Sequence, residues 1–133
     1  MHAVFGVELL RSGRDKMTGE VYLAKSIRRM AMEAKEVPVT VDFRNDKVIG
    51  KAKGFKATGG IFSPVSLYCD LMIDIEKLPL ALGKCPCAGG KIDATDKDGK
   101  VKSFILMEVS MAQRNKDKKI GRLEISQSRR PNR

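Results

Sequence analysis

Two of the chain's three cysteines lie within GKCPCAGG, residues 83–90, with a proline between them and glycines on both sides. Four kinds of chemistry suit such a string: a metal clip, a redox pair, a nucleophile, or no chemistry beyond a tight turn. Zinc normally takes four Cys or His ligands, with two to four residues between paired cysteines. Here the spacing is C-x-C, and the other ligands would have to be Cys69 and the sole histidine, His2. No metal or cofactor is expected on that basis. Redox pairs usually read C-x-x-C, and joining Cys85 to Cys87 would close a strained ring. The redox roles left to them are a labile disulfide or a cross-link between chains. A thiol nucleophile needs a base, and the base needs an orienting group. His2, at the very start of the chain, is a poor candidate. Taken alone, the residues favour a glycine-lined turn between β elements, with the cysteines as small buried side chains.

The elements that would position these residues are mostly strands. Residues 3–10 are short and apolar-rich and read as a strand, followed by a polar loop over 11–18. In EVYLAKSIRRMAMEAKE, Leu23, Ile27, Met30 and Ala34 recur at helical spacing, and Lys25, Arg28, Arg29, Glu33 and Lys35 cover the opposite side. This predicts one helix over about 22–36, closed by Pro38, with Met30 and Met32 as core filler. VPVTVDF then alternates, placing Val37, Val39, Val41 and Phe43 on one face and Thr40 and Asp42 on the other. Asn45 and Asp46 mark a turn over 44–47. KVIGKAKGFKA resumes as a strand with a glycine bulge, and Thr58-Gly59-Gly60 turns again. A β-rich run with Pro64 near its start follows, and it buries Leu67, Cys69, Leu71 and Ile73. Residues 76–90 read as a connection, KIDATDKDGKVKSF as a hairpin about Asp98-Gly99, and SFILMEVSMAQ as a strong strand. IGRLEIS is a further candidate strand. The predicted fold class is α+β, mainly β: a barrel or sandwich with one amphipathic helix. The predicted organisation is one domain over 1–126 and a basic flexible tail over 127–133.

At 133 residues the chain is long enough for a real core. No apolar run approaches the ~20 residues of a membrane span, and the start has no cationic segment leading into an apolar one. A cytoplasmic site of synthesis and no membrane partner are expected. The formal charge is +10. Residues 111–133 hold eight Lys or Arg and two acidic residues, so +6 of it lies there. Such a tail suits an acidic partner. Arg114, Lys116, Lys118, Lys119, Arg122, Arg129, Arg130 and Arg133 are the candidate electrostatic contacts.

Several strings, in order, resemble one family. TGEVYLAKSIRRMA is similar to the N-terminal segment of tailed-phage head maturation proteases and Mu-type prophage head proteins. VPVTVDFRNDKVIGKAKGF resembles their extended stretch, which carries the catalytic histidine. CAGGKI stands where they carry the nucleophilic serine, and FILMEVSMAQRNKD resembles the strand that supplies a carboxylate. The likeness covers about residues 17–120. It places the histidine position at Phe43, the serine position at Cys87 (or Ala88 with a one-residue slip) and the carboxylate at Glu108. Phenylalanine cannot accept a proton. The resemblance therefore implies the family's fold with a degenerate site at Phe43, Cys87 and Glu108, and no catalytic residue.

Three functions follow as expectations. The first is a non-enzymatic structural protein of the phage head (decoration, cement or scaffold), made in the host cytoplasm and located in the virion. Its partners would be the major capsid protein or another virion protein, further copies of itself, or packaged DNA through non-specific contact. The second is an active maturation protease with Cys87 as nucleophile. The third is a small basic nucleic-acid-binding module, for which Phe43 and Phe55 are the aromatics available for stacking.

Overall fold

The computed structural model describes residues 1–15 and 18–113. The α+β, mainly β class is what it shows, with 59% of the described residues in strands and 14% helical. Eight strands form one sheet, curled into a half-barrel. They are β1 (His2–Arg11), β2 (Gly13–Arg14), β3 (Val21–Tyr22), β4 (Val37–Val41), β5 (Arg44–Thr58), β6 (Ser66–Asp74), β7 (Cys85–Thr95) and β8 (Val101–Ala112). The order across the sheet is β1-β6-β5-β4-β8-β3-β2, and β7 pairs with β8. Most ladders are antiparallel, but β3 and β4 each run parallel to β8. The curl brings β1 against β7.

The core lies inside the curl. Leu9, Ile49, Leu67, Leu71, Ile73, Val39, Val101, Val109 and Met111 are fully buried there. Each such side chain contributes about 1.5–3 kcal/mol through burial. The alternation expected of Leu67, Cys69, Leu71 and Ile73 holds, because β6 is flanked by β1 and β5 and shows only one face to the interior. Among the described residues the single α-helix, α1 (Ala24–Glu33), lies across β8, β5 and β6 and inserts Ile27 and Met30 into the same core.

Helix α1 is shorter than the 22–36 expected. Tyr22 is taken by a bridge to Val101, so helical geometry starts after Leu23. At the other end Pro38 favours extended backbone before it, and the chain leaves the helix at Ala34. Met32 is 86% exposed rather than core filler, because α1 buries only a narrow stripe. The polar loop expected over 11–18 is interrupted by β2, which pairs with β3.

Two further corrections concern turns. Between β4 and β5 the chain reverses at Asp42 and Phe43, with φ of 53° and 58°. It does not reverse at 44–47, which belong to β5 and bulge between the Val41–Arg44 and Thr40–Val48 pairs. Likewise only the first residues of GKCPCAGG form the turn. The reversal is at Gly83, φ 79°, and Cys85 to Gly90 are strand residues paired along β8. The connection before them holds a 3-10 turn, Ile75–Leu80. The glycine bulge in β5 is at Gly54, φ 68°, where the register against β6 shifts. The hairpin at Asp98-Gly99 is closed by the Asp96 N–H donating to the Lys100 carbonyl at 2.9 Å. IGRLEIS and the tail lie outside the described residues.

Candidate functional site

The positions singled out by the family resemblance are far apart in sequence but meet on two adjacent strands, β7 and β8, and the turn that follows β4. β8 lies between β4 and β7. Thr40 and Cys87 are each paired with Ser110, one from either side. Directly paired residues share a face of the sheet, so Thr40, Ser110 and Cys87 form a row. All three are buried, at 2%, 0% and 3% exposure. Glu108 is two residues before Ser110 on the same strand and lies across from Gly89. Its carboxylate accepts the Thr40 hydroxyl in a short hydrogen bond.

Phe43 sits at the end of this row. Its backbone N–H donates to Ser110 Oγ at 2.7 Å, and the Asp42 N–H donates to the Met111 carbonyl at 3.0 Å. Lys84 closes the turn from outside, with Nζ 2.8 Å from both oxygens of the Asp42 carboxylate. The Phe43 ring is half exposed instead of joining Val37, Val39 and Val41 inside. A two-residue hairpin with positive φ at both central positions turns its side chains out of the pleat. The position that would carry the family's histidine is thus held against the row by its backbone, while its side chain points elsewhere.

The chemistry available here is limited. Cys87 Sγ is 3.4 Å from the Cys85 carbonyl oxygen. The Thr40 proton goes to Glu108, and phenylalanine offers no acceptor. His2 is committed to Asp74 at 3.0 Å on the β1–β6 ladder. Cys69, Cys85 and Cys87 are all buried. Burial, followed by the charge of neighbouring Asp70, pushes the Cys69 thiol up to about 12. Among the described residues, no group of three or more His, Cys, Asp or Glu is placed to hold a metal ion. No helix of the described residues is long and apolar enough to cross a membrane.

Beside the row lies an open cleft of about 330 Å³, lined by Pro38, Thr40, Asn45, Val48, Gly90, Met107 and Glu108. A second, of about 300 Å³, lies between α1 and β8. Of the two aromatics considered for base stacking, Phe43 is exposed and Phe55 packs against the core. The most exposed aromatic is Phe62, at 99%, beside Ile61 at 93%. Reading IFSPV as the start of a strand concealed it. Ser110 and Thr40 were visible only as polar residues within apolar strands. The basic candidates Arg114, Lys116, Lys118, Lys119, Arg122, Arg129, Arg130 and Arg133 lie outside the described residues.

No protein-family model, no curated protein and no solved structure matches the chain.

Proposed function

We propose that the chain is a non-enzymatic structural protein of a tailed-phage head, a decoration, cement or scaffold-like component on a maturation-protease-like frame. One observation carries the reading. Phe43 and Glu108 are 65 residues apart, with Cys87 between them, yet all three converge around Ser110, as the three positions of one site should. The residues that fill those positions suit packing better than proton transfer. The thiol is buried, the base position is a hydrocarbon ring, and the carboxylate is bonded to a threonine. A fold whose site is filled in this way keeps its surfaces for binding. The +6 carried by residues 111–133 suits an acidic lattice or packaged DNA.

Quantitative mass spectrometry of purified particles tests the reading. The expected result is full-length protein at high copy number relative to the major capsid protein. Absence from mature particles would sink it and turn attention to roles during assembly. Cys87→Ala separates the enzymatic alternative: capsid-protein processing should be unchanged, and lost processing would make Cys87 a nucleophile.

A further inference from the structure

The cleft beside the Thr40–Ser110–Cys87 row is the feature that the head reading leaves unused. Val48 extends that row, because it pairs with Thr40 across β4 and β5. The cleft measures about 330 Å³, at the small end of the range for ligand pockets. Among the described residues that line it, only Glu108 is charged. Its carboxylate is positioned from two sides. The Thr40 hydroxyl, on a residue only 2% exposed, donates to Oε1. On the facing strand, Gly89 leaves the room that the Glu108 side chain occupies. A Cβ at Gly89 would lie 2.5 Å from Glu108 Cγ and 3.0 Å from Oε2.

This carboxylate has no counter-ion. Among the described residues no Lys, Arg or His forms an ion pair with it. Lys47 and Lys91 are exposed neighbours of Val48 and Gly90 in the chain, yet neither lines the cleft. A half-buried carboxylate held by one neutral hydroxyl has lost hydration that a cation would restore. Much of the remaining wall is hydrocarbon, from Pro38, Val48 and Met107, and the last two are 44% and 58% exposed. A cation on a short hydrocarbon stem matches both parts, with its stem on the apolar wall and its head on the carboxylate. A guanidinium gains its advantage by gripping both carboxylate oxygens, and Oε1 already holds the Thr40 proton. A primary ammonium is a compact point charge that needs only Oε2. Asn45 lines the same cleft and carries an amide oxygen for a second ammonium N–H.

We propose that this cleft is a binding site for a primary alkylammonium group, with Glu108 as its counter-ion and Thr40 and Gly89 as positioning residues. A lysine side chain of another polypeptide and a free alkylamine both carry that group. The proposal goes beyond the head reading and does not rest on it, since it needs only the cleft and its carboxylate.

Proton–nitrogen correlation NMR of the full-length labelled protein tests it. The probes are n-butylammonium, Nα-acetyl-lysine methylamide and n-butanol, which has the stem without the charge. At least one of the two ammonium probes should shift the amides of Asn45, Val48, Gly89 and Glu108 saturably, and n-butanol should bind at least ~10-fold more weakly, as expected when a charge-assisted hydrogen bond is lost. Glu108→Gln keeps the shape and an acceptor for Thr40 but removes the charge, so it should weaken ammonium binding by the same factor. Val48→Lys, at an exposed position across from Thr40, supplies a resident ammonium and should block the probes likewise. It replaces Glu108→Gln if the spectrum of that variant shows that it does not fold. Tighter binding of the lysine derivative would assign the site to a polypeptide side chain, and tighter binding of n-butylammonium to a free amine. The absence of any saturable shift with either ammonium probe would overturn the proposal. So would n-butanol binding as well as n-butylammonium, or a folded Glu108→Gln or Val48→Lys that binds like the wild type.

Discussion

Phe43 is held in the left-handed backbone region by its neighbours' hydrogen bonds. A non-glycine residue in that region costs about 1–2 kcal/mol, and the half-exposed ring recovers only part of a full burial. Phe43→Gly should therefore raise stability, by up to about 1 kcal/mol once glycine's greater unfolded-state freedom is subtracted. Ser110→Ala should act oppositely. It leaves the Phe43 N–H without its acceptor in a buried site and should cost about 1–3 kcal/mol. Urea denaturation compares both with the wild type at constant m value. A Phe43→Gly loss above ~1 kcal/mol would show that the ring is a packing residue. The period-2 pattern placed Phe43 beside Val37, Val39 and Val41, since alternation cannot tell where a strand stops. The stop depends on Ser110 and Met111, about 70 positions downstream.

Strand β7 shows how glycines serve an element. A Cβ at Gly90 would overlap the Ile105 carbonyl of β8, so its bareness is required for the ladder to close. Gly90→Ala should cost more than ~2 kcal/mol or prevent folding. Gly60→Ala, with open space around it and no positive φ, should stay within about 0.5 kcal/mol by the same assay. The glycines of GKCPCAGG suggested a turn because their usual role is local. Gly83 does have that role, but Gly89 and Gly90 permit close approach of a partner strand, which composition does not express. β1 and β6 are tied by a different device. Burial raises the Glu8 pKa, but the two hydrogen bonds from Arg11, at 2.7 and 2.9 Å, one from Ser66 and the Arg11 charge outweigh it and hold Glu8 below the usual range. A lowered folded-state pKa means the charged form is favoured in the fold. Its contribution is therefore full above the unfolded-state value and fades as pH falls through the folded-state value. The stability difference between wild type and Glu8→Gln should be present at neutral pH, about 1 kcal/mol or less. Thermal melts should show it vanishing well below the ordinary 4.5. A difference unchanged in acid would mean that the charge contributes nothing.

One sheet and one core organise the described residues of the molecule. Each long ladder depends on its neighbours, and α1 shares its apolar stripe with β5, β6 and β8. Unfolding should accordingly be a single cooperative transition. Far-UV circular dichroism reports the sheet, and tyrosine fluorescence reports Tyr22, buried edge-on against Phe104 at 6.1 Å between ring centroids. The two midpoints should coincide, and separate transitions would mean independently folding parts.

Residue order alone determined a β-rich chain with one amphipathic helix, the inward face of β6, a glycine bulge in β5 (though not which glycine) and the hairpin at Asp98-Gly99. All of these follow from spacings within about a dozen residues, where periodicity and turn chemistry act. Only the tertiary structure decided that Thr40, Ser110 and Cys87 form one row, that Phe43 leaves the core, that Cys85 to Gly90 are strand, and that Ile61 and Phe62 face water. Those outcomes depend on pairing between strands far apart in the chain. A shift of one residue in that register exchanges the buried and exposed faces, and no local pattern encodes it.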